Sequence, residues 1–174
     1  MFVLGIDPGL SRCGYGCVRS SDGRTSAVAA GVITTPVDEP VPTRLATLRQ
    51  ELHSLVVELR PDVVVVERVF FQTNARTAMS VGQASGVAML TAVEVGCDVV
   101  EYTSNEVKLA VTGYGGATKD QVQRMVARLL NLDAVPEPAD AADALALALC
   151  HLSTAPWARL TPRPGGAPAT PVAP

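Results

Sequence analysis

Five short apolar runs predict β-strands, because each has the length of a strand and most are bounded by turn-forming residues. The run Val63-Val64-Val65-Val66 is apolar throughout, as expected of a strand that is covered on both faces of a sheet. Ser21-Asp22-Gly23 predicts a tight turn between the second and third strands. The predicted strands span residues 1–7, 13–20, 25–35, 62–67 and 97–102.

Apolar positions at helical spacing predict five helices between and after these strands. In the first helix, leucine or valine recurs every three or four residues from Leu45 to Leu59. Ser104 is the predicted N-terminal cap of the third helix. The predicted helices span residues 43–59, 74–95, 104–111, 118–131 and 139–153. The order β-β-β-α-β-α-β-α-α-α predicts an α/β fold, in which a mixed five-stranded sheet carries helices on both faces.

The predicted helix at 74–95 carries almost no charge and is rich in small residues, among them Gly82 and Gly86. A helix of this composition has to be covered on most of its sides. A central place in the core and a place in a subunit interface explain the pattern equally well.

The chain of 174 residues has the size of one ordinary domain. Residues 1–153 are predicted to form this domain. Residues 154–174 are mostly Pro, Ala and Gly, which predicts a disordered tail. The N-terminus lacks the features of a signal peptide and no apolar run has the length of a membrane span, so we expect a cytoplasmic protein. Four scattered cysteines without a CxxC pair are expected to be free thiols.

Four carboxylates stand at places where an acidic residue needs a reason. Asp7 ends the first apolar run, and Glu67 ends the four-valine strand. Asp140 and Asp143 lie three residues apart at the start of the last predicted helix, and therefore share a face. Carboxylates gathered in one pocket repel each other unless cations hold them together. Their hard oxygen ligands suit Mg²⁺ or Mn²⁺, and such sites usually act on phosphate.

Each of these acids also has a purely structural interpretation. Asp7 precedes Pro-Gly and can serve as a turn former. Acids in the first turn of a helix, as at Asp140 and Asp143, are favoured by the helix dipole. Glu67 is harder to explain by turn chemistry. His151 lies eight residues after Asp143, about 12 Å along a helix at roughly 1.5 Å per residue, so we do not expect it to reach the same ion.

The formal net charge of −3 is unusual for a nucleic-acid-binding protein, so any DNA contact must come from a local basic face. Lys119 follows a Gly-rich loop and begins a predicted helix, where a cation is disfavoured, which favours a functional role at a phosphate. Phe70 can stack on an unpaired base or pack against the next helix. Arg76 can contact phosphate or be a plain surface charge.

Three segments resemble the signature blocks of RuvC-type Holliday junction resolvases: GIDPGLSRCGYG, VVVVERVFFQTNARTAMSVGQASGVA and PADAADALALALCH. The stretch TSNEVKLAVTGYGGATKDQV is similar to a fourth segment of that family, and the order and spacing also match. The resemblance covers residues 1 to about 153.

This resemblance implies an RNase H-like fold, a homodimer, and Mg²⁺- or Mn²⁺-dependent cleavage of four-way DNA junctions. It also implies nicks in two strands of like polarity and cooperation with the branch-migration proteins RuvA and RuvB. The family's metal-binding acids match Asp7, Glu67, Asp140 and Asp143. Its important basic positions match Lys108 and Lys119, and the aromatic that meets bases at the junction centre matches Phe70.

The carboxylate set predicts phosphodiester hydrolysis assisted by two metal ions, roughly 3.5–4 Å apart in such sites, which leaves a 5′-phosphate. Three other functions are weighed against junction cleavage. An actin-like or sugar-kinase ATPase needs a second lobe, for which the chain is too short. A junction-binding scaffold without catalysis would not need the complete acidic set. A general RNase H-like nuclease would cut RNA–DNA hybrids.

Overall fold

The structure, a computed structural model, describes the backbone of residues 1–68 and 75–158 and the side chains of residues 1–68 and 77–155. The strands are β1 Phe2–Asp7, β2 Arg12–Ser21, β3 Arg24–Thr34, β4 Val63–Glu67 and β5 Asp98–Tyr102. The helices are α1 Val41–Leu59, α2 Ala75–Glu94, α3 Ser104–Thr112, α4 Lys119–Leu129 and α5 Ala139–Ala158. Both the order and the type of the predicted elements are confirmed.

The five strands form one mixed sheet in the order β3-β2-β1-β4-β5. The meander β1-β2-β3 is antiparallel, whereas β1 pairs with β4 and β4 with β5 in parallel. Strand β1 is therefore the central strand. Because β1 and β4 are parallel neighbours, their carboxyl ends, at Asp7 and Glu67, lie at the same edge of the sheet.

Helices cover both faces of the sheet, as predicted. Alternate residues of β1 point to opposite faces, so Leu4 and Ile6 pack with α1 and α2. Val3 packs with α3, α4 and α5 on the other face. The α2 residues Ala84 and Ala88 are buried against the sheet, which confirms a core position for one face of this helix.

Helix α5 lies directly on the central strands because three glycines leave room for it. A Cβ atom on Gly5 would stand 2.0 Å from the carbonyl oxygen of Ala144. On Gly14 it would stand 2.2 Å from the carbonyl oxygen of Asp140, and on Gly16 2.6 Å from a backbone nitrogen. No side chain fits at such distances. The close approach brings the first turn of α5 over the carboxyl end of β1.

The structure corrects two predicted details. The N-terminal cap of α3 is Thr103, not Ser104: its hydroxyl accepts from the Glu106 amide, while the Glu106 carboxylate accepts from the Thr103 amide. Helix α5 continues to Ala158, five residues beyond the predicted end at 153. The rest of the predicted tail, residues 159–174, lies outside the described residues.

One expectation about the chemistry of the chain is also met. All four cysteines are free thiols, and three of them are buried. Among the described residues, no helix combines the length and the apolar character that crossing a bilayer requires.

Candidate active site

Three of the four predicted acids line one cleft of about 390 Å³ at the carboxyl edge of the sheet. Asp7 comes from β1, Glu67 from β4 and Asp143 from the first turns of α5. The parallel pairing of the two strands and the close seat of α5 on β1 and β2 bring these distant positions together. The polar residues of the cleft are Asp7, Glu67, Ser104, Lys108, Lys119 and Asp143.

The electrostatics of Asp7 are those of a crowded carboxylate cluster. Burial, followed by the charges of Glu67, Asp143 and Asp140, raises the pKa of Asp7 from 3.8 to about 7. Burial also raises the pKa of Glu67, and a hydrogen bond from Asp7 opposes this rise. The fold therefore disfavours the ionisation of both carboxyl groups together when no cation is near. The repulsion that sequence reasoning expected among these acids is present in the fold.

Lys119 is the nearest cation to this cluster. Its Nζ lies 2.6 Å from Oδ2 of Asp143, and this contact raises the pKa of the lysine, so the lysine stays charged. Thr118 caps α4 and forms a capping box with Gln121, which fixes Lys119 as the first helical residue. The local structure therefore holds an ammonium group at the mouth of the cleft.

Asp140 faces away from the cleft towards Arg12, a residue that the sequence did not single out. Arg12 Nη2 and Nε donate to the same oxygen of Asp140, Oδ2, at 2.8 and 3.1 Å. Arg12 opens β2 beside the carboxyl end of β1, and only the pairing of these strands places it against α5. No pattern in the sequence signals this contact.

The carboxylates of the cluster are the ligand type that a divalent cation prefers, but their side chains are not spaced to hold one ion together. It offers only carboxylate oxygens, which are the ligands that Mg²⁺ and Mn²⁺ prefer, and a cation would relieve the repulsion around Asp7. However, within residues 1–68 and 77–155 no three acidic, histidine or cysteine side chains are placed to hold one ion together. Asp143 and Asp140 are turned towards Lys119 and Arg12 instead.

The remaining predicted residues divide into three groups. Lys108, on α3, lines the cleft and lowers the pKa of Glu67 by its charge. His151 is buried away from the cleft, where its Nδ1 lies 3.1 Å from the hydroxyl of Tyr102, so the expectation that it does not join the acids is met. Phe70 and the side chain of Arg76 lie outside the described residues.

Comparison with known proteins gives one consistent family. The family model for "Crossover junction endodeoxyribonuclease RuvC" matches residues 3–151. A curated relative of that name from Salinispora arenicola is 55% identical over 153 residues, which cover 87% of each chain. Another, from Syntrophomonas wolfei, is 49% identical over 152 residues, 87% of this chain and 88% of the relative.

Solved structures give the same result. The structure of Thermus thermophilus RuvC in complex with a Holliday junction substrate superposes with a TM-score of 0.84 at 35% identity. The match covers 89% of this chain and 94% of that one. A yeast mitochondrial Holliday junction resolvase superposes with a TM-score of 0.61 at 14% identity, which shows a shared fold.

Proposed function

Because this chain belongs to the RuvC family of crossover junction endodeoxyribonucleases, we propose that it resolves four-way DNA junctions by nicking two strands of like polarity. The observation that carries the proposal is the cleft in which Asp7, Glu67 and Asp143 meet two lysines. Crowded carboxylates beside fixed ammonium groups suit a metal-assisted reaction at a phosphodiester. The recombination and repair of DNA are the processes in which such junctions arise.

The four acids Asp7, Glu67, Asp140 and Asp143 are the proposed ligands of Mg²⁺ or Mn²⁺, with two ions per site. Bound ions of this kind activate water and stabilise the charge that develops on the phosphate and on the leaving oxygen. Asp7 would hold such an ion from the end of the central strand. For Asp140 and Asp143 to take part, each must turn from its basic partner or share an oxygen with it.

The lysines are proposed to act on the scissile phosphate. Lys119 is anchored at the mouth of the cleft and exposes 61% of its side chain, so it can pass from Asp143 to a phosphate oxygen. There its charge opposes the negative charge of the transition state. Lys108 lines the same cleft from α3 and supports the orientation of the DNA strand. An in-line attack on this phosphate leaves a 5′-phosphate end.

Recognition of the junction itself is assigned to the segment that follows Glu67. We expect Phe70 to stack on an unpaired base at the junction centre and Arg76 to contact a phosphate. Both assignments rest on the family resemblance and on the chemistry of these side chains. The alanine variant Phe70→Ala should bind a junction more weakly while leaving the binding of linear duplex unchanged.

A homodimer is proposed because a four-way junction offers two equivalent cleavage points, and a two-fold axis places one site at each. The face of α2 that points away from the sheet supports this assembly. It exposes Met79, Leu90 and Val93 by 65%, 55% and 62%, with Gly82 and Gly86 between them. Cooperation with RuvA and RuvB, in the cytoplasm, is proposed from the same family resemblance.

The decisive experiment is cleavage of a labelled mobile four-way junction with Mg²⁺, Mn²⁺ or EDTA, beside a linear duplex and an RNA–DNA hybrid. Paired symmetric nicks are expected only on the junction, only with metal, and not with Asp7→Asn. A junction that is bound but never cut would favour a non-catalytic scaffold. Equal cleavage of the hybrid would instead favour a general RNase H-like nuclease.

A further inference from the structure

Arg44 is a buried cation that has no acidic partner in the described part of the chain. It lies in the first turn of α1, and only 8% of its surface is exposed. No Asp or Glu among the described residues pairs with it. Burying a charge without a counter-charge is costly, so such a residue needs a reason.

The guanidinium group is held by two hydroxyls and keeps free donors. Its Nε donates to Oγ1 of Thr35 at 3.0 Å, and its Nη2 donates to Oγ of Ser11 at 2.6 Å. No described residue accepts a hydrogen bond from Nη1. Since Nη1 is not among the fully buried polar atoms without a partner, it keeps contact with solvent. The group is thus oriented, charged and open on one side.

The position of Arg44 relates it to the candidate active site. Ser11 lies four residues after Asp7 and directly before Arg12, which binds Asp140. Thr35 follows β3, whose direction is parallel to that of β1, so the carboxyl ends of both strands lie at one edge of the sheet. Thr35 also donates through its hydroxyl to the carbonyl of Leu10 at 2.5 Å. The Arg44 cluster therefore lies at the same edge of the sheet as the acids, but on the face covered by α1, whereas α3, α4 and α5 line the cleft on the other face.

The start of α1 adds to the positive potential at this point. The helix has no acidic residue in its first turn, and Pro40 provides no side-chain cap for its amide groups. The dipole of the 19-residue helix places positive potential beside Arg44, and the carboxylates of Asp38 and Glu39, just before the helix, offset part of it. An anion is the partner that satisfies the free donors of the guanidinium group.

We propose that Arg44, oriented by Ser11 and Thr35, forms a second phosphate-binding site for the DNA strand that enters the cleft. This inference rests on the proposed function, because DNA is the anion that function brings to this edge. The phosphate bound here belongs to the same strand as the scissile one, at the point where that strand passes the edge of the sheet. Its role is to fix the strand's register over the acids, so Arg44 acts on binding and not on the chemical step.

The test replaces Ser11, which is exposed, so that Arg44 itself stays in place. Ser11→Asp sets a carboxylate beside the guanidinium group, so it satisfies the buried cation and repels a phosphate. Ser11→Asn has the same size without the charge. Ser21→Asp adds the same charge at the far end of β2 and controls for the change in net charge. All three are made together with Asp7→Asn, and junction binding is measured by fluorescence anisotropy in EDTA.

Ser11→Asp is expected to weaken junction binding about tenfold or more and to reduce the slope of log affinity against log salt by about one. Ser21→Asp should stay within about threefold of the parent, and Ser11→Asn should bind the junction more tightly than Ser11→Asp. The melting temperature of Ser11→Asp should equal or exceed that of Ser11→Asn, which shows that the fold is kept. Equal binding by Ser11→Asp and Ser11→Asn, or an equal loss in Ser21→Asp, overturns the proposal.

The same measurements separate this proposal from the proposed function. If the unchanged chain neither binds nor cuts a four-way junction, the proposed function fails. If it does both, and Ser11→Asp still binds like Ser11→Asn, only the second phosphate site fails.

Discussion

Among single residues, Asp7 has a charge that depends strongly on its surroundings. Its burial and three neighbouring acids place its pKa near neutrality. The protonated form is therefore favoured by folding, and the ionised form is disfavoured until a cation arrives. Near neutral pH, where its ionised form would bind a cation, Asp7 therefore lowers the free energy of unfolding.

The first prediction concerns the pH dependence of stability in EDTA. The pKa of Asp7 rises on folding from 3.8 to about 7, so its contribution is most favourable below pH 4 and is lost as the pH rises to 7. Asp7→Asn removes this loss and should raise the free energy of unfolding at pH 8 by on the order of 2–4 kcal/mol. Urea unfolding of both proteins at pH 5 and pH 8 measures it. A variant less stable than the parent at pH 8 would contradict the electrostatic account.

The second prediction concerns Lys119. Lys119→Met should lower the rate of junction cleavage about 10²- to 10³-fold, because the charge that opposes the transition state is lost. Single-turnover cleavage and anisotropy binding separate rate from affinity, and binding should change less than tenfold. Arg124→Gln, on the same helix but paired with Asp120, is the control and should cut at nearly the normal rate. Equal cleavage rates for Lys119→Met and Arg124→Gln would show that the charge of Lys119 takes no part in the reaction.

At the scale of elements, the site depends on how closely α5 approaches the sheet. Gly5, Gly14 and Gly16 allow backbone to meet backbone, and this contact sets the height of Asp140 and Asp143 over Asp7. The two capping boxes play the same part for the lysines, since they fix where α3 and α4 begin. The glycines and the capping residues thus determine where the acids and the lysines of the cleft lie.

The third prediction tests this dependence. In Gly14→Ala the new methyl group meets the carbonyl oxygen of Asp140, so α5 must shift. We expect a loss of about 1–3 kcal/mol in stability, as for other overpacked sites, and at least a tenfold loss in cleavage. Chemical unfolding and cleavage assays measure the two effects. Full activity in Gly14→Ala would show that the height of α5 is not critical.

The elements themselves are readable from the sequence because their patterns are local. Apolar runs gave all five strands, and helical spacing gave all five helices. The sequence predicts the cap of α3 one residue late, at Ser104, because Thr103 and Ser104 are both good caps and only the hydrogen bonds with Glu106 decide between them. The acids at Asp7 and Glu67 could be grouped because parallel neighbours end at one edge. The contact of Arg12 with Asp140 joins positions 128 residues apart and leaves no local pattern.

At the scale of the whole molecule, the described surface leaves one apolar helix face uncovered. Buried alanines of α2 satisfy one side of the helix, while Met79, Leu90 and Val93 remain exposed on the other. From the sequence alone, a place in the core and a place in a subunit interface explain this helix equally well. The first is confirmed on one face, and the second stays a prediction for the opposite face.

The fourth prediction tests that interface. Leu90→Lys places a charge in the centre of the exposed stripe and should convert a dimer into a monomer without loss of the fold. Val57→Lys, on α1, changes a residue of similar exposure and should leave the dimer intact. Light scattering coupled to size-exclusion chromatography gives both masses. If Leu90→Lys remains a dimer, the interface does not lie on this face of α2.

The position of α5 in the chain order also ties hydrolytic competence to the completion of the fold. This helix is the last described element, yet it packs on β1, β2 and β4 and brings Asp143 to the cleft. A chain emerging from the ribosome has made Asp7 and Glu67 long before it has made the acid that completes their cluster. Until then the central strand lacks its cover on that face, and the proposed set of ligands is incomplete. An unfinished chain therefore cannot assemble the proposed site before α5 packs on the sheet.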